Sequence, residues 1–242
     1  MENKKGVRTI EKEGLSLERI IFIGRTYEEY IDMFSLSLEE LKGKRILDCP
    51  AGACSFTAKG TKQHLDITAS DIAYYYGNDE LYEKGLEDIK HTASALEKVK
   101  EHFVWNYFND VTSLLKHRKA ALNDYYQDRA SNPKKYIPCT LPTLPFAEEE
   151  FDIVLSAHFL FTYADRLDKE FHFAAIDELL RVTNEELRIF PTADLDGNRY
   201  AHMDELIDRL TAKGYKAQEM KVGYEFQKNA NTMLRIIKGH HE

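Results

Sequence analysis

The sequence is poor in cysteine and in positive charge, and both shortages exclude classes of protein. Its 242 residues include three cysteines, an odd number that suits a reducing compartment better than a disulfide framework. Acidic residues outnumber basic ones by 41 to 33, which gives a formal net charge of −8 at pH 7. Because nucleic-acid binding needs a concentrated basic surface, we expect no general binding to DNA or RNA.

Long apolar runs are missing as well. No segment reaches the roughly 20 apolar residues that a membrane-spanning helix requires. The first residues, Met1 to Gly6, contain no hydrophobic stretch like that of a secretion signal. We therefore expect a cytoplasmic protein with no membrane partner. With 43% hydrophobic residues the chain can bury a full core, and its length fits one large α/β domain better than two.

The most informative stretch runs from Arg45 to Phe56. Two aliphatic residues lead to the acid Asp48, and the chain then turns through Pro50, Ala51 and Gly52 into small residues that can open a helix. A strand, a tight turn and a helix N-terminus together present free N–H groups that favour a carboxylate or another anion. The pattern predicts the ligand-binding edge of a parallel α/β sheet.

This stretch resembles the first motif of class I S-adenosyl-L-methionine (SAM)-dependent methyltransferases, in which an acid precedes three alternating glycines. Asp48 matches the acid and Gly52 the middle glycine, whereas Pro50 and Cys54 replace the outer two. Later segments keep the order of the same family. They are the acid Asp71 after a second predicted strand, Leu144-Pro-Phe146, and the buried strand Phe151–Leu155.

The resemblance implies a Rossmann-like class I methyltransferase fold: an α/β domain with a seven-stranded, mostly parallel sheet and an antiparallel last strand. Helical periodicity between about residues 78 and 135 predicts a helical insertion between strands 2 and 3. We expect residues 1–43 to form an N-terminal tail and lid helices, and residues 44–242 the SAM-binding domain. The insertion is interpreted as a recognition element, a stabilising flap or a dimer contact.

The resemblance also implies SAM as the cofactor and assigns residues to its parts. Asp71 would accept hydrogen bonds from both ribose hydroxyls, for which one bidentate carboxylate is well suited. The full set of predicted cofactor-binding residues is Asp48, Pro50, Ala51, Gly52, Asp71, Ile72, Thr140, Leu141, Ser156, Ala157 and His158.

Further residues are candidates for catalysis and substrate contact. His158 follows the fourth predicted strand and is either a general base, since imidazole titrates near neutral pH, or a packing residue under the cofactor. Tyr163, at the end of the same segment, is a second catalytic candidate. Arg25 and Tyr27, at the start of a helix ahead of the first strand, and Tyr75, in a cluster of three tyrosines, are candidates for the lid or substrate pocket.

The expected function is methyl transfer to a small-molecule acceptor by a monomer or homodimer. No metal site is expected, because the cysteines lack CxxC spacing and are better explained as small buried hydrophobic residues. Three alternatives stay open. An RNA or protein methyltransferase would need a basic groove, a non-catalytic SAM-binding protein would fit the altered glycines, and a nicotinamide dehydrogenase would need the full Gly-x-Gly-x-x-Gly loop.

Overall fold

A computed structural model describes residues 21–239, which contain seven strands and seven α-helices. The tail expected for the first residues lies largely outside this range. The strands are Arg45–Asp48 (β1), Asp66–Asp71 (β2), Tyr136–Pro138 (β3), Phe151–Ala157 (β4), Thr183–Phe190 (β5), Lys216–Lys221 (β6) and Thr232–Ile237 (β7). The helices are Tyr27–Met33 (α1), Leu38–Leu41 (α2), Phe56–Lys62 (α3), Asn78–Leu96 (α4), Val111–Ser131 (α5), Lys169–Val182 (α6) and Met203–Ala212 (α7).

The strands form one sheet in the order β3-β2-β1-β4-β5-β7-β6. Strands β1 to β5 pair in parallel, and β7 runs antiparallel to both of its neighbours, β5 and β6. The predicted fold class, with an antiparallel last strand and a helical insertion between β2 and β3, is confirmed. In a parallel sheet of this kind, ligands bind beyond the carboxyl ends of the strands.

Helices cover both faces of the sheet, and β4 shows this most directly. All seven residues of β4 are buried, as a central strand requires when neither face meets water. Val154 packs in a cluster with Leu179 of α6 and Leu206 of α7, whereas its neighbour Ile153 packs in a cluster with Phe56 of α3. The alternation of side chains along the strand therefore supplies both halves of the core.

The insertion is a pair of long helices that pack closely on each other. A Cβ atom on Gly85 of α4 would lie 2.7 Å from Cδ1 of Leu122 on α5, so the absence of a side chain permits this approach. The rings of Tyr82 and Tyr126 continue the contact at 4.5 Å between centroids. None of the helices between residues 21 and 239 is both long and apolar enough to cross a membrane.

Helix α1 begins with a capping box, which the Thr26-Tyr-Glu-Glu29 sequence predicts. Thr26 Oγ1 accepts from the N–H of Glu29 at 3.3 Å, and the Glu29 carboxylate accepts from the N–H of Thr26 at 2.9 Å. Two orphan N–H groups of the first turn are thereby satisfied. This cap fixes where α1 starts, and so it holds the preceding residues, Ile21–Arg25, against the carboxyl edge of the sheet.

Candidate functional site

A cleft of about 310 Å³ lies at the carboxyl ends of β1, β2, β3 and β4. Its volume is within the usual range of small-molecule pockets, roughly 300 to 1,000 Å³. The predicted residues that line it from the first two loops are Pro50, Ala51, Gly52, Asp71 and Ile72. Those from the other elements are Thr140, Leu141, Ala157, His158, Tyr163 and Arg25.

The loop after β1 turns at Gly52, whose φ of +53° is the left-handed conformation that glycine adopts without strain. The N–H of Ala51 donates to the carbonyl of Ser70 at 3.0 Å, and the N–H of Gly52 donates to Oδ2 of Asp71 at 2.8 Å. These bonds tie the β1 loop to the end of β2. The two loops therefore form one continuous wall of the cleft.

Cys54 stands where the family motif has its last glycine. A glycine in another segment, Gly24, permits a close backbone contact next to it. A Cβ on Gly24 would lie 1.8 Å from the carbonyl oxygen of Ala53, so only glycine fits there. The N–H of Arg25 donates to Cys54 Sγ at 3.2 Å, and the carbonyl of Arg25 accepts from the N–H of Ser55 at 3.0 Å. The glycine that allows two backbone segments to come so close therefore lies in the segment before α1 and not in the loop after β1.

Asp71 faces the cleft. Two hydrogen bonds hold its carboxylate in place and leave it able to accept others. Oδ2 accepts from Gly52 N–H and Oδ1 from Ala73 N–H, each at 2.8 Å. A carboxylate offers about four acceptor positions, so about two remain for a ligand. Burial raises the pKa of Asp71, and the two N–H bonds oppose that shift by stabilising the charged form.

Asp48, the acid of the first motif, lies beneath the cleft rather than on its lining. It is 1% exposed, and its Oδ1 accepts from the Tyr30 hydroxyl at 3.0 Å. Burial is the main reason that its pKa is raised well above the usual value, and the charge of Asp71 adds to this. Ser156 is likewise buried under the lining, with an Oγ that has no partner in the described part of the chain.

His158 occupies an unusual backbone position at the end of β4. Its φ is +50°, and its N–H donates to the carbonyl of Phe190 at 2.6 Å. The pKa of its imidazole is lowered well below the usual value, first by burial and then by the charges of Arg25 and Arg118. The ring is therefore neutral near pH 7, and the same burial and charges make it a weaker base than a free imidazole. Its Nε2 is buried without a hydrogen-bond partner among the described residues.

Tyr163 also reaches the cleft, as a neutral phenol. The side chain is 5% exposed, and burial is the main cause that raises the pKa of its hydroxyl. Tyr27 and Tyr75 do not line the cleft. Tyr27 is buried with its ring stacked on Phe56 at 5.5 Å, whereas Tyr75 is 65% exposed. Tyr163 is therefore the one of these three tyrosines that faces the cleft.

Cysteines border the cleft without forming a metal site. Cys49 and Cys139 are buried and free, and their sulfur atoms are 3.9 Å apart. Residues 21–239 contain no group of three or more His, Cys, Asp or Glu side chains placed to hold a metal ion. The two thiols serve as small packing groups beneath the loops.

Sequence reasoning missed part of the lining and a second cavity. Ile21, Ile23 and Phe171 line the cleft, and only the brief apolar run before Gly24 was a signal for the first two. Next to the cleft lies a second cavity of about 120 Å³, which shares Arg25, His158 and Tyr163 with it. Its other walls come mainly from α4, α5 and the segment between β6 and β7, and Phe103, Thr162 and Leu195 from other loops complete them.

Comparison with models of known protein families gives no match. Among curated proteins, the chain is 38% identical over 223 residues to the uncharacterized protein MJ0045 of Methanocaldococcus jannaschii, which covers 92% of this chain and 98% of that protein.

Among solved structures, two of those that resemble the fold are methyltransferases. Magnesium protoporphyrin IX methyltransferase from Synechocystis PCC 6803, solved with bound SAM, has a TM-score of 0.45 at 12% identity, over 83% of this chain and 73% of that one. A SAM-dependent methyltransferase from Aquifex aeolicus has a TM-score of 0.43 at 13% identity, over 86% and 92%. These two likenesses concern the backbone fold alone.

Proposed function

The chain belongs to the same family as the uncharacterized M. jannaschii protein MJ0045, and we propose that it is a SAM-dependent methyltransferase acting on a small-molecule acceptor. One observation carries the proposal. The Asp71 carboxylate, with acceptor capacity to spare, lies on a cleft at the carboxyl edge of the sheet beside the left-handed Gly52 loop. A nucleoside with two neighbouring ribose hydroxyls fits such a carboxylate.

The lining residues divide among the parts of SAM. Asp71 would hold the ribose, and Pro50, Ala51 and Gly52 would surround the methionine part. Ile72, Thr140 and Leu141, which line the same cleft, would contact the adenine. Ala157 and His158 would form the floor near the methyl group, with Asp48 and Ser156 supporting these loops from below.

The chemistry requires little of the protein beyond orientation and proton removal. When bound, SAM supplies a methyl group whose bond to sulfur breaks with its electron pair left on sulfur, as a lone pair of the acceptor forms the new bond to carbon. His158 would accept the proton that the acceptor loses, because its imidazole is neutral and Nε2 has no partner among residues 21–239. Tyr163, as a neutral phenol, would orient the acceptor.

A small-molecule acceptor is favoured over RNA or protein by the charge and by the second cavity. The chain carries a net charge of −8, and the space beside His158 is a cavity of about 120 Å³ rather than a long groove. We further propose that residues 21–43 cover the cleft as part of the lid, since Arg25 lines it and is tied to the β1 loop. A cytoplasmic location, as a monomer or homodimer, completes the proposal.

The test is calorimetric titration of SAM and S-adenosylhomocysteine into the wild type and Asp71→Asn. Losing charge-assisted hydrogen bonds to the ribose should weaken binding by about 1 to 3 kcal/mol, which is roughly 5- to 150-fold. The matched control is Asp66→Asn, an exposed carboxylate at the start of the same strand, which should bind like the wild type. Equal affinity of Asp71→Asn and wild type would contradict the ribose assignment, and a wild type that binds neither ligand would contradict the function.

A further inference from the structure

The second cavity gathers buried polar atoms that have no hydrogen-bond partner. Among the described residues, five such side-chain atoms belong to residues that line it: Arg25 Nε, Thr92 Oγ1, Arg118 Nη2, His158 Nε2 and Thr162 Oγ1. An unsatisfied buried polar group destabilises a folded protein, and native proteins leave few of them. Their concentration around one cavity indicates a site that is completed by a bound polar ligand.

The charges around this cavity do not cancel. Arg118 donates to Glu29 Oε2 at 2.6 Å, and both side chains are almost completely buried. Glu29 also accepts from the Tyr224 hydroxyl at 2.8 Å and from the N–H of Thr26 at 2.9 Å, so about three of the four acceptor positions of its carboxylate are used within the protein. The Arg118 charge is thereby offset within the protein.

Arg25 has no such partner. Its guanidinium makes no ion pair within residues 21–239, and no Asp or Glu of that range lines the cavity. Burial first, and then the charge of Arg118, lower the pKa of Arg25. Arg25 is half-buried, and its Nε is buried without a partner among the described residues. Because a charge in an apolar cavity is costly unless it is paired, the unpaired Arg25 charge favours an anionic ligand at this cavity.

Most of the remaining walls are apolar, among them Ile89 and Leu96 of α4, Leu114 and Leu115 of α5, and Phe226 from the segment between β6 and β7. Gln227 adds one polar side chain to this lining. A strongly hydrated dianion would lose more hydration free energy here than one excess positive charge can return. A ligand with one negative charge and an apolar body matches both the charge and the walls.

We propose that the second cavity binds the methyl acceptor and that this acceptor is a small, largely apolar monocarboxylate. Its carboxylate is held by Arg25 and Arg118, and a separate hydroxyl, amine or thiol of its body forms the new bond to the methyl carbon and loses its proton to His158. The carboxylate supplies acceptors for the free N–H groups of the two guanidinium ions, which suit planar bidentate contact. The assignment as acceptor rests on the proposed function, because His158 and Tyr163 line both the cleft and this cavity.

The test compares acids with their neutral amides. Phenylacetate, benzoate and hexanoate, and the three matching amides, are titrated into the protein saturated with S-adenosylhomocysteine, and into the free protein. At least one acid should bind the wild type tenfold or more tightly than its amide. Arg25→Gln should abolish this preference, and Thr92→Phe, which fills the cavity, should weaken binding of the acid tenfold or more. Lys119→Gln removes an exposed charge of the same helix as Arg118 and should bind like the wild type.

Arg25 also lines the cleft, so its effect on the cofactor is measured separately. S-adenosylhomocysteine and 5′-methylthioadenosine, which lacks the amino-acid part, are titrated into Arg25→Gln and wild type. If Arg25→Gln weakens only S-adenosylhomocysteine and keeps the acid preference, Arg25 serves the cofactor and the inference is overturned. Thermal melting of each variant confirms that it is folded, and Thr92→Val provides a conservative substitution at the cavity that should weaken the acid less than Thr92→Phe.

The two proposals fail in different ways. A wild type that binds S-adenosylhomocysteine but binds no acid more tightly than its amide overturns the acceptor class and leaves the methyltransferase proposal standing. A wild type that prefers an acid but binds neither SAM nor S-adenosylhomocysteine overturns the methyltransferase proposal, and with it the role of the acid as a methyl acceptor.

Discussion

His158 has an unusual backbone conformation and an unusual side-chain pKa, and both affect the candidate site. The left-handed φ of +50° turns the chain sharply after β4, which is uncommon outside glycine but tolerated by His and Asn. The turn leaves the ring on both the cleft and the second cavity. Burial and two nearby guanidinium ions keep it neutral. A neutral ring so placed adds no positive charge to the cleft until it accepts a proton and becomes an imidazolium.

The lowered pKa of His158 predicts a specific pH dependence of stability. The unfolded chain binds a proton at this residue below about pH 6.5, whereas the folded protein does not. Protonation therefore favours unfolding, and the wild type should lose on the order of 1 kcal/mol of unfolding free energy through this residue as the pH falls from 7.5 to 5.5. Urea denaturation of His158→Asn should show a loss smaller by that amount.

The control is His64→Asn. His64 is exposed and has a φ of +62°, so the substitution tests the same backbone conformation away from the site, and its stability should follow the wild type at both pH values. An identical pH dependence in His158→Asn and wild type would show that the imidazole is not held neutral in the folded protein.

At the scale of the elements, one buried ion pair joins α1 to the insertion. Glu29 of α1 and Arg118 of α5 are 89 residues apart, and their side chains are 0% and 5% exposed. Tyr224, between β6 and β7, donates to the same carboxylate. Three segments that are distant in the chain therefore meet at one charged group, which holds Arg118 and Tyr224 on the lining of the second cavity.

Removing one partner of this ion pair should lower the stability of the protein. Glu29→Gln leaves the Arg118 charge buried without its partner, and the free energy of unfolding should fall by about 3 to 5 kcal/mol. Urea denaturation at pH 7 measures the loss. Glu28→Gln, at the exposed neighbouring residue of the same helix, should change stability by no more than about 0.5 kcal/mol. A small effect of Glu29→Gln would mean that water or an alternative partner compensates Arg118.

At the scale of the whole molecule, the cleft is built from four strand ends and the segment before α1. A ligand that contacts all of them binds only the folded chain, so it should raise the stability of the protein as a unit. S-adenosylhomocysteine at 100 times its dissociation constant should increase the free energy of unfolding by about 2.7 kcal/mol. Denaturation with and without ligand measures this, and NAD at the same concentration is the control. Stabilisation by NAD but not by S-adenosylhomocysteine would favour a dehydrogenase.

Much of the fold was predictable because it depends on short-range patterns. The aliphatic run into Asp48, the buried strand from Phe151 and the capping box at Thr26 each fix a local conformation, and the order of these segments fixes the sheet. The strand ends could be placed at one edge for the same reason. Asp71 and His158 were candidates because each directly follows or ends a strand.

The sequence by itself determined the main strands, the loops at their carboxyl edge and the acids and imidazole carried there, because these depend on local patterns and on the handed connections of parallel strands. The seven-stranded sheet with an antiparallel last strand was implied by the resemblance to class I methyltransferases. Only the tertiary structure decided that Asp48 lies below the cleft and that Tyr27 and Tyr75 lie off it. It alone brought Arg25 and Arg118 to one cavity. Such contacts depend on how segments distant in the chain pack together. The cavity and the pKa values around it depend on burial, and no short stretch of sequence encodes burial.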